Sequence, residues 1–244
     1  MTAEGSQRRR RVAWALGILV GVALFLAAAP FAYSRLELAP LWHEVIGVDV
    51  SNHQDEIDWK ALAASGVAFA YIKATEGGDF RDKSFARNWS EAARAGIPRG
   101  AYHFASLCNA TEEAKNFIES VPKDPGALPP VVDVEHIGAC TATLTPADNI
   151  AMLRQFLDTL EKHYGRRPLI YTTSEFDSSM LEGLLAGERF WVRSLVLPPR
   201  FRQDQWLIWQ YHNWGRRPGI TGPVDLNAFR GTRRDFDAFA KAGT

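Results

Sequence analysis

Val131-Val132-Asp133-Val134-Glu135-His136 sets two carboxylates two residues apart behind an apolar, β-branched lead-in. On a strand, side chains at i and i+2 share a face, so Asp133 and Glu135 point into the same space. Two acids facing one cavity repel each other as anions, which leaves one of them a proton donor beside a carboxylate. Such a pair is the equipment for cleaving a glycosidic bond. The plainer alternative is that both acids are neutralised by buried Arg or Lys.

The elements around the pair favour the first reading. Short β-branched and aromatic runs recur at 45–50, 67–74, 99–104, 130–135 and 169–172, each followed by a helical segment: 58–65, 83–95, 111–120, 146–164 and 178–185. This alternation signals βα units and a parallel sheet. The helix 146–164 has the clearest punctuation, with Thr145 as N-cap, Pro146 at the first helical position, and Gly165 and Pro168 as the stop. Beyond it, 190–193, 206–211 and 224–229 read as strands joined only by loops. Eight strands and about five helices, (β/α)5(β)3, are most economically closed as an α/β, TIM-like barrel.

Such a barrel predicts catalytic groups at the C-terminal ends of its strands. Those ends carry Asp49, Lys73 with Glu76, His103, Asp133 with Glu135, Tyr171, Arg193, Gln210 with Tyr211, and Asp225. Four acids converging from three strands are hard to attribute to turn chemistry alone. Cys108 and Cys140 fall just beyond the exits of the neighbouring third and fourth strands, within reach of a loop-to-loop disulfide; two unrelated buried thiols are the alternative.

In order along the chain, Gly47-Val48-Asp49-Val50-Ser51 with Gln54, Ile72-Lys73-Ala74-Thr75-Glu76-Gly77, Gly100-Ala101-Tyr102-His103-Phe104, Pro130-Val131-Val132-Asp133-Val134-Glu135, Trp209-Gln210-Tyr211 and Val224-Asp225-Leu226-Asn227-Ala228-Phe229 are similar to the motifs of glycoside hydrolase family 25, the muramidase lysozymes. The resemblance implies a barrel of eight strands and five helices and hydrolysis of the β-1,4 bond between N-acetylmuramic acid and N-acetylglucosamine in peptidoglycan. Carried over by position, it makes Glu135 the proton donor, later the base toward water, and Asp49, Asp133 and Asp225 the flanking carboxylates. Asp133 would then either orient the substrate's acetamido group as an internal nucleophile or stabilise oxocarbenium-like charge. Tyr102, Tyr171, Trp209 and Tyr211 are candidates for stacking on sugar rings, with His103, Gln210, Lys73 and Glu76 as further substrate contacts. The resemblance implies no metal or cofactor, and neither His103 nor His136 sits in a metal-binding spacing.

The first 43 residues have a different character. Arg8 to Arg11 form a basic segment (1–11), followed by an uncharged apolar stretch (12–34) of roughly the 20 residues that cross a bilayer, and a linker at 35–43 before a catalytic domain over 44–244. Basic residues before the stretch orient the N-terminus inward, which places the domain in the periplasmic or extracytoplasmic space as a single-pass inner-membrane protein. Ala27-Ala28-Ala29 resembles a signal-peptidase site, but Pro30 follows directly and the apolar run exceeds a signal-peptide core, so an uncleaved anchor is favoured. The chain has 244 residues, 46% hydrophobic, with 28 basic and 28 acidic side chains, which excludes an electrostatic case for nucleic acid. A monomer acting on glycan strands is expected.

Two other readings compete. One is a catalytically inactive, peptidoglycan-binding membrane protein, against which the four retained acids argue. The other is a chitinase-like barrel, but Pro129 and Val131 stand where its additional acids belong.

Overall fold

The computed structural model describes residues 3–33, 35–135, 140, 143–181 and 183–241; in the first helix, side chains are described at 14–26, 28–29 and 32–33. The chain divides into two compact units, Met1–Leu36 and Glu37–Thr244.

The first unit is one helix, α1 (Ala3–Tyr33). Its described side chains are largely exposed and apolar, including Trp14, Leu16, Ile18 and Phe25. Among the described residues no helix is long and apolar enough to cross a membrane. The expected membrane-spanning stretch, 12–34, forms most of this helix, and no span is found among the described residues.

The second unit is an eight-stranded closed barrel: β1 (Ile46–Val50), β2 (Phe69–Glu76), β3 (Arg99–Phe104), β4 (Val131–Val134), β5 (Leu169–Thr173), β6 (Phe190–Arg193), β7 (Trp206–Gly215) and β8 (Val224–Phe229). A two-residue strand, Phe80–Arg81, folds back on the end of β2. Strands β1 to β7 pair in parallel, but β8 runs antiparallel to both β7 and β1. This corrects the all-parallel expectation. Residues 216–223 form a short loop, and a parallel return needs a crossover of a dozen residues or more.

Helices α2 (Trp59–Ala64), α3 (Phe85–Arg94), α4 (Ala110–Ser120) and α5 (Pro146–Tyr164) lie close to their expected ranges. The capping box at the start of α5 is formed by Thr145 and Asp148, and Gly165 ends the helix with a φ of 74°. The fifth crossover starts earlier than expected, as α6 (Ser174–Phe176) followed by a π-helical turn over Asp177–Leu181, because the Thr173 hydroxyl caps it by accepting from the N–H of Phe176 at 3.2 Å.

A further helix, α7 (Arg233–Lys241), was not expected from the sequence. Phe236 joins the cluster that fills the barrel, 5.4 Å from Phe69 and 5.3 Å from Phe229. Thr232 caps α7 reciprocally with Asp235, a signal hidden beneath the charges of its first turn. Inside the barrel, Phe69, Tyr71, Val131, Leu169, Tyr171, Trp191 and Ile208 pack together, while a second layer lies between strands and helices. The narrow lumen explains two glycines: a Cβ on Gly47 would stand 2.5 Å from the Phe69 ring, and one on Gly100 2.2 Å from Tyr71.

The expected linker at 35–43 belongs in part to the barrel unit. Glu37 pairs with Arg217 at 2.6 Å, Ala39 is fully buried, and His43 packs edge-on against Trp206 and Trp209.

Candidate active site

An open cleft of about 420 Å³ occupies the mouth of the barrel, at the C-terminal ends of its parallel strands. It is lined by Asp49 from β1, Lys73 from β2, Tyr102 from β3, Asp133 and Glu135 at β4, Tyr171 from β5, Gln210 from β7 and Asp225 from β8. Eight expected site residues thus converge, and strand alternation is the reason: each sits on the inward face. Asp225 reaches the same rim from the start of its strand, because β8 is reversed.

Asp49 and Asp225 are register partners across β1 and β8 and share a hydrogen bond. Asp49 also accepts from Gln210 Nε2 at 3.0 Å and Asn227 Nδ2 at 2.8 Å, both on Oδ2. Behind these amides, Tyr171 donates to Gln210 Oε1 at 2.9 Å and Trp191 Nε1 donates to Asn227 Oδ1 at 2.8 Å. Burial raises the pKa of both acids above the ordinary carboxylate value, and the Asp49 charge raises Asp225 further. Asp49, with two amide donors, is the ionised member, and Asp225 holds the proton.

Asp133 is buried, and among the described residues its Oδ1 has no hydrogen-bond partner. Burial, followed by the charges of Glu135 and Asp49, pushes its carboxyl well above the ordinary range. Glu135 is more open, its side chain 24% exposed. Its Oε2 lies 3.1 Å from Arg193 Nη1 and 3.5 Å from the Tyr171 hydroxyl oxygen, whose one proton goes to Gln210. The plainer reading of the acid pair thus holds for half of it: Glu135 has a basic partner, while Asp133 has none on Oδ1.

Four expected contacts are placed elsewhere. His103 is 0% exposed and faces the helices: its Nδ1 is 2.7 Å from Thr75 Oγ1 and its Nε2 3.1 Å from Glu113 Oε2. Trp209 and Tyr211 also face outward, Trp209 donating to the Ser194 carbonyl at 2.6 Å and Tyr211 to Glu37 at 3.2 Å. These three are one residue out of phase with Tyr102 and Gln210 on the same strands, so the pleat turns them away from the lumen. Glu76 is ion-paired with Lys73 at 2.6 Å and does not line the cleft. His136 lies outside the described residues.

Asn227, Trp191, Arg193, Ser51, His53, Phe104 and Asn213 are site residues that were not singled out as such. Inward alternation from Asp225 would have found Asn227, and Arg193 was visible as a strand exit. Cys108 and Cys140 are joined by a disulfide, with Cα atoms 5.1 Å apart, that ties the segment after β3 to the segment after β4.

The pattern of glycosyl hydrolases family 25 matches residues 48–220. The chain belongs to this family. It is a glycosidase, and the converging acids lie within the barrel that the family shares. A family 25 glycosyl hydrolase from Bacillus anthracis superposes with a TM-score of 0.75 at 36% identity, covering 81% of this chain and 94% of that one. The bacterial lysozyme from Streptomyces coelicolor gives 0.73 at 34% identity, covering 82% and 98%. Lysozyme M1 of Streptomyces globisporus is 35% identical over 211 residues, 80% of this chain and 71% of that protein.

Proposed function

We propose that this family 25 enzyme is a muramidase that cleaves the β-1,4 bond between N-acetylmuramic acid and N-acetylglucosamine in peptidoglycan. Relatives described as lysozymes support the substrate class. The observation that carries the chemistry is the pairing, in one open cleft, of an accessible Glu135 with a buried Asp133 whose Oδ1 lacks a partner.

On this reading Glu135 donates its proton to the glycosidic oxygen as the bond to C1 breaks. A buried acceptor without a donor is a standing cost, and the N–H of a 2-acetamido group is the donor that would relieve it. Asp133 therefore holds the acetamido group so that its carbonyl oxygen attacks C1. Water then opens the resulting ring, losing its proton to Glu135 and leaving the anomeric configuration retained. Tyr102 and Tyr171 supply ring faces to the sugars.

Glu135→Gln should abolish the release of new reducing ends from purified peptidoglycan while leaving the melting temperature within a few degrees. Full activity in that variant would overturn the proposal. Binding without cleavage by the wild-type protein would establish the inactive, glycan-binding alternative instead.

We also propose that the barrel works outside the cytoplasm, held at the membrane by the basic and apolar N-terminal helix. The disulfide supports an oxidising compartment. Fractionation should find the chain in membranes at high salt with Met1 retained; a soluble product beginning near Pro30 would refute the tether.

A further inference from the structure

We infer that Arg193 is a positioning residue for the proton donor: it anchors Glu135 by one oxygen and leaves the other to carry the transferable proton. The inference rests on the assignment of Glu135 as donor. Its geometry is independent of that assignment.

Arg193 ends β6, adjacent to β5 and β7, and lines the cleft with its side chain 36% exposed. Its register partners are Thr173 and Gln210. Nη1 lies 3.1 Å from Glu135 Oε2, and the Tyr171 hydroxyl reaches the same atom at 3.5 Å. Tyr171 is itself fixed by donating to Gln210 Oε1 at 2.9 Å, so the anchor is tied into the hydrogen-bonded network around Asp49. Both contacts use Oε2. Oε1 is then the oxygen available to a glycosidic oxygen above the cleft.

The surrounding charges show why a cation is needed. Glu135 shares the cleft with Asp133 on its own strand, Asp49 on β1 and Asp225 on β8, with Lys73 on β2 as the other cation and His53 at the rim. Glu175, after β5, also acts on Arg193. After proton transfer Glu135 must stand as a carboxylate among these acids, poised to act as base. A guanidinium in contact favours that state, and its planar fork holds the side chain in place.

The test is the pH profile of kcat and kcat/KM on solubilised peptidoglycan for wild type, Arg193→Gln and Arg193→Lys, with thermal melting to confirm folding. Arg193→Gln should lower kcat about 10-fold and move the basic limb of the profile upward by about one pH unit, as loss of a contacting opposite charge predicts. Arg193→Lys should restore the limb while recovering only part of kcat, since an ammonium keeps the charge without the fork. A fall in kcat with an unmoved limb in Arg193→Gln would overturn the proposal, as would wild-type behaviour in both variants. The assignment of Glu135 fails separately: there Glu135→Gln stays active, whatever Arg193 does.

Discussion

Asp49 and Asp225 face each other across the antiparallel pair that closes the barrel, where burial and their mutual charge favour a single proton between them. The donors already spent on Asp49, from Gln210 and Asn227, decide which partner is charged. The two acids are therefore not interchangeable.

Asp225→Asn replaces a neutral donor with another donor, and should keep at least a tenth of wild-type activity with little loss of stability. Asp49→Ala instead removes the single oxygen that accepts from both amide donors. Leaving them unpaired costs about 1–3 kcal/mol each, so the melting temperature should drop clearly and kcat should fall by about 100-fold or more. Melting curves and initial rates of the two variants, side by side, check the asymmetry.

Stability should peak in mild acid. Asp133 and Asp225 titrate above their ordinary value in the folded protein because they are buried. The folded state thus keeps protons that the unfolded chain has lost, and stability falls as pH rises from about 4 toward the folded values. His103 has the opposite sign: burial lowers its pKa, so the stability it contributes above about 6.5 is lost as pH falls below that value. In melting measured from pH 4 to 8, Asp133→Asn should flatten the decline on the alkaline side. An unchanged slope would mean that Asp133 is not protonated when buried.

His103 should prove structural. Burial works against charge on Glu113, yet hydrogen bonds from His103 and Ser106 hold its carboxyl below the ordinary value. A neutral His103 then donates to Glu113 and accepts from Thr75, bracing β2 and β3 against the start of α4. His103→Phe removes both bonds and leaves Glu113 to its Ser106 and Cys108 donors alone, at a cost of roughly 2–4 kcal/mol. At temperatures well below melting, kcat/KM should stay within about twofold of wild type. Trp209→Phe should behave in the same way, whereas Tyr171→Phe should lower kcat with a smaller effect on melting.

The disulfide joins residues 32 apart in sequence, across α4 and β4. Loop-closure entropy assigns such a link about 3–4 kcal/mol. Cys108→Ser/Cys140→Ser, or treatment with a reductant, should lower the melting temperature by several degrees. Equal melting of oxidised and reduced protein would refute the stabilising role.

The strands, their order and the acid pair were legible because their signals are local. Period-two runs, the Thr145-Pro146 start and Gly165 stop of α5, and the spacing of Asp133 and Glu135 all act within a few residues. Helix α7 was hidden because its apolar positions are meaningful only against the open end of a barrel, where Phe236 meets Phe69 and Phe229.

Tertiary structure alone decided three things. The short return into β8 forced an antiparallel strand, which brings Asp225 opposite Asp49. The pleat, one residue at a time, kept Tyr171 and Gln210 in the cleft and turned His103, Trp209 and Tyr211 out of it. Closure of the barrel set Arg193 on Glu135 and left Asp133 Oδ1 without a partner. Sequence determines which residues alternate on a strand; which face is inward, and which charges meet across it, follows only when the sheet closes and water is excluded from one side.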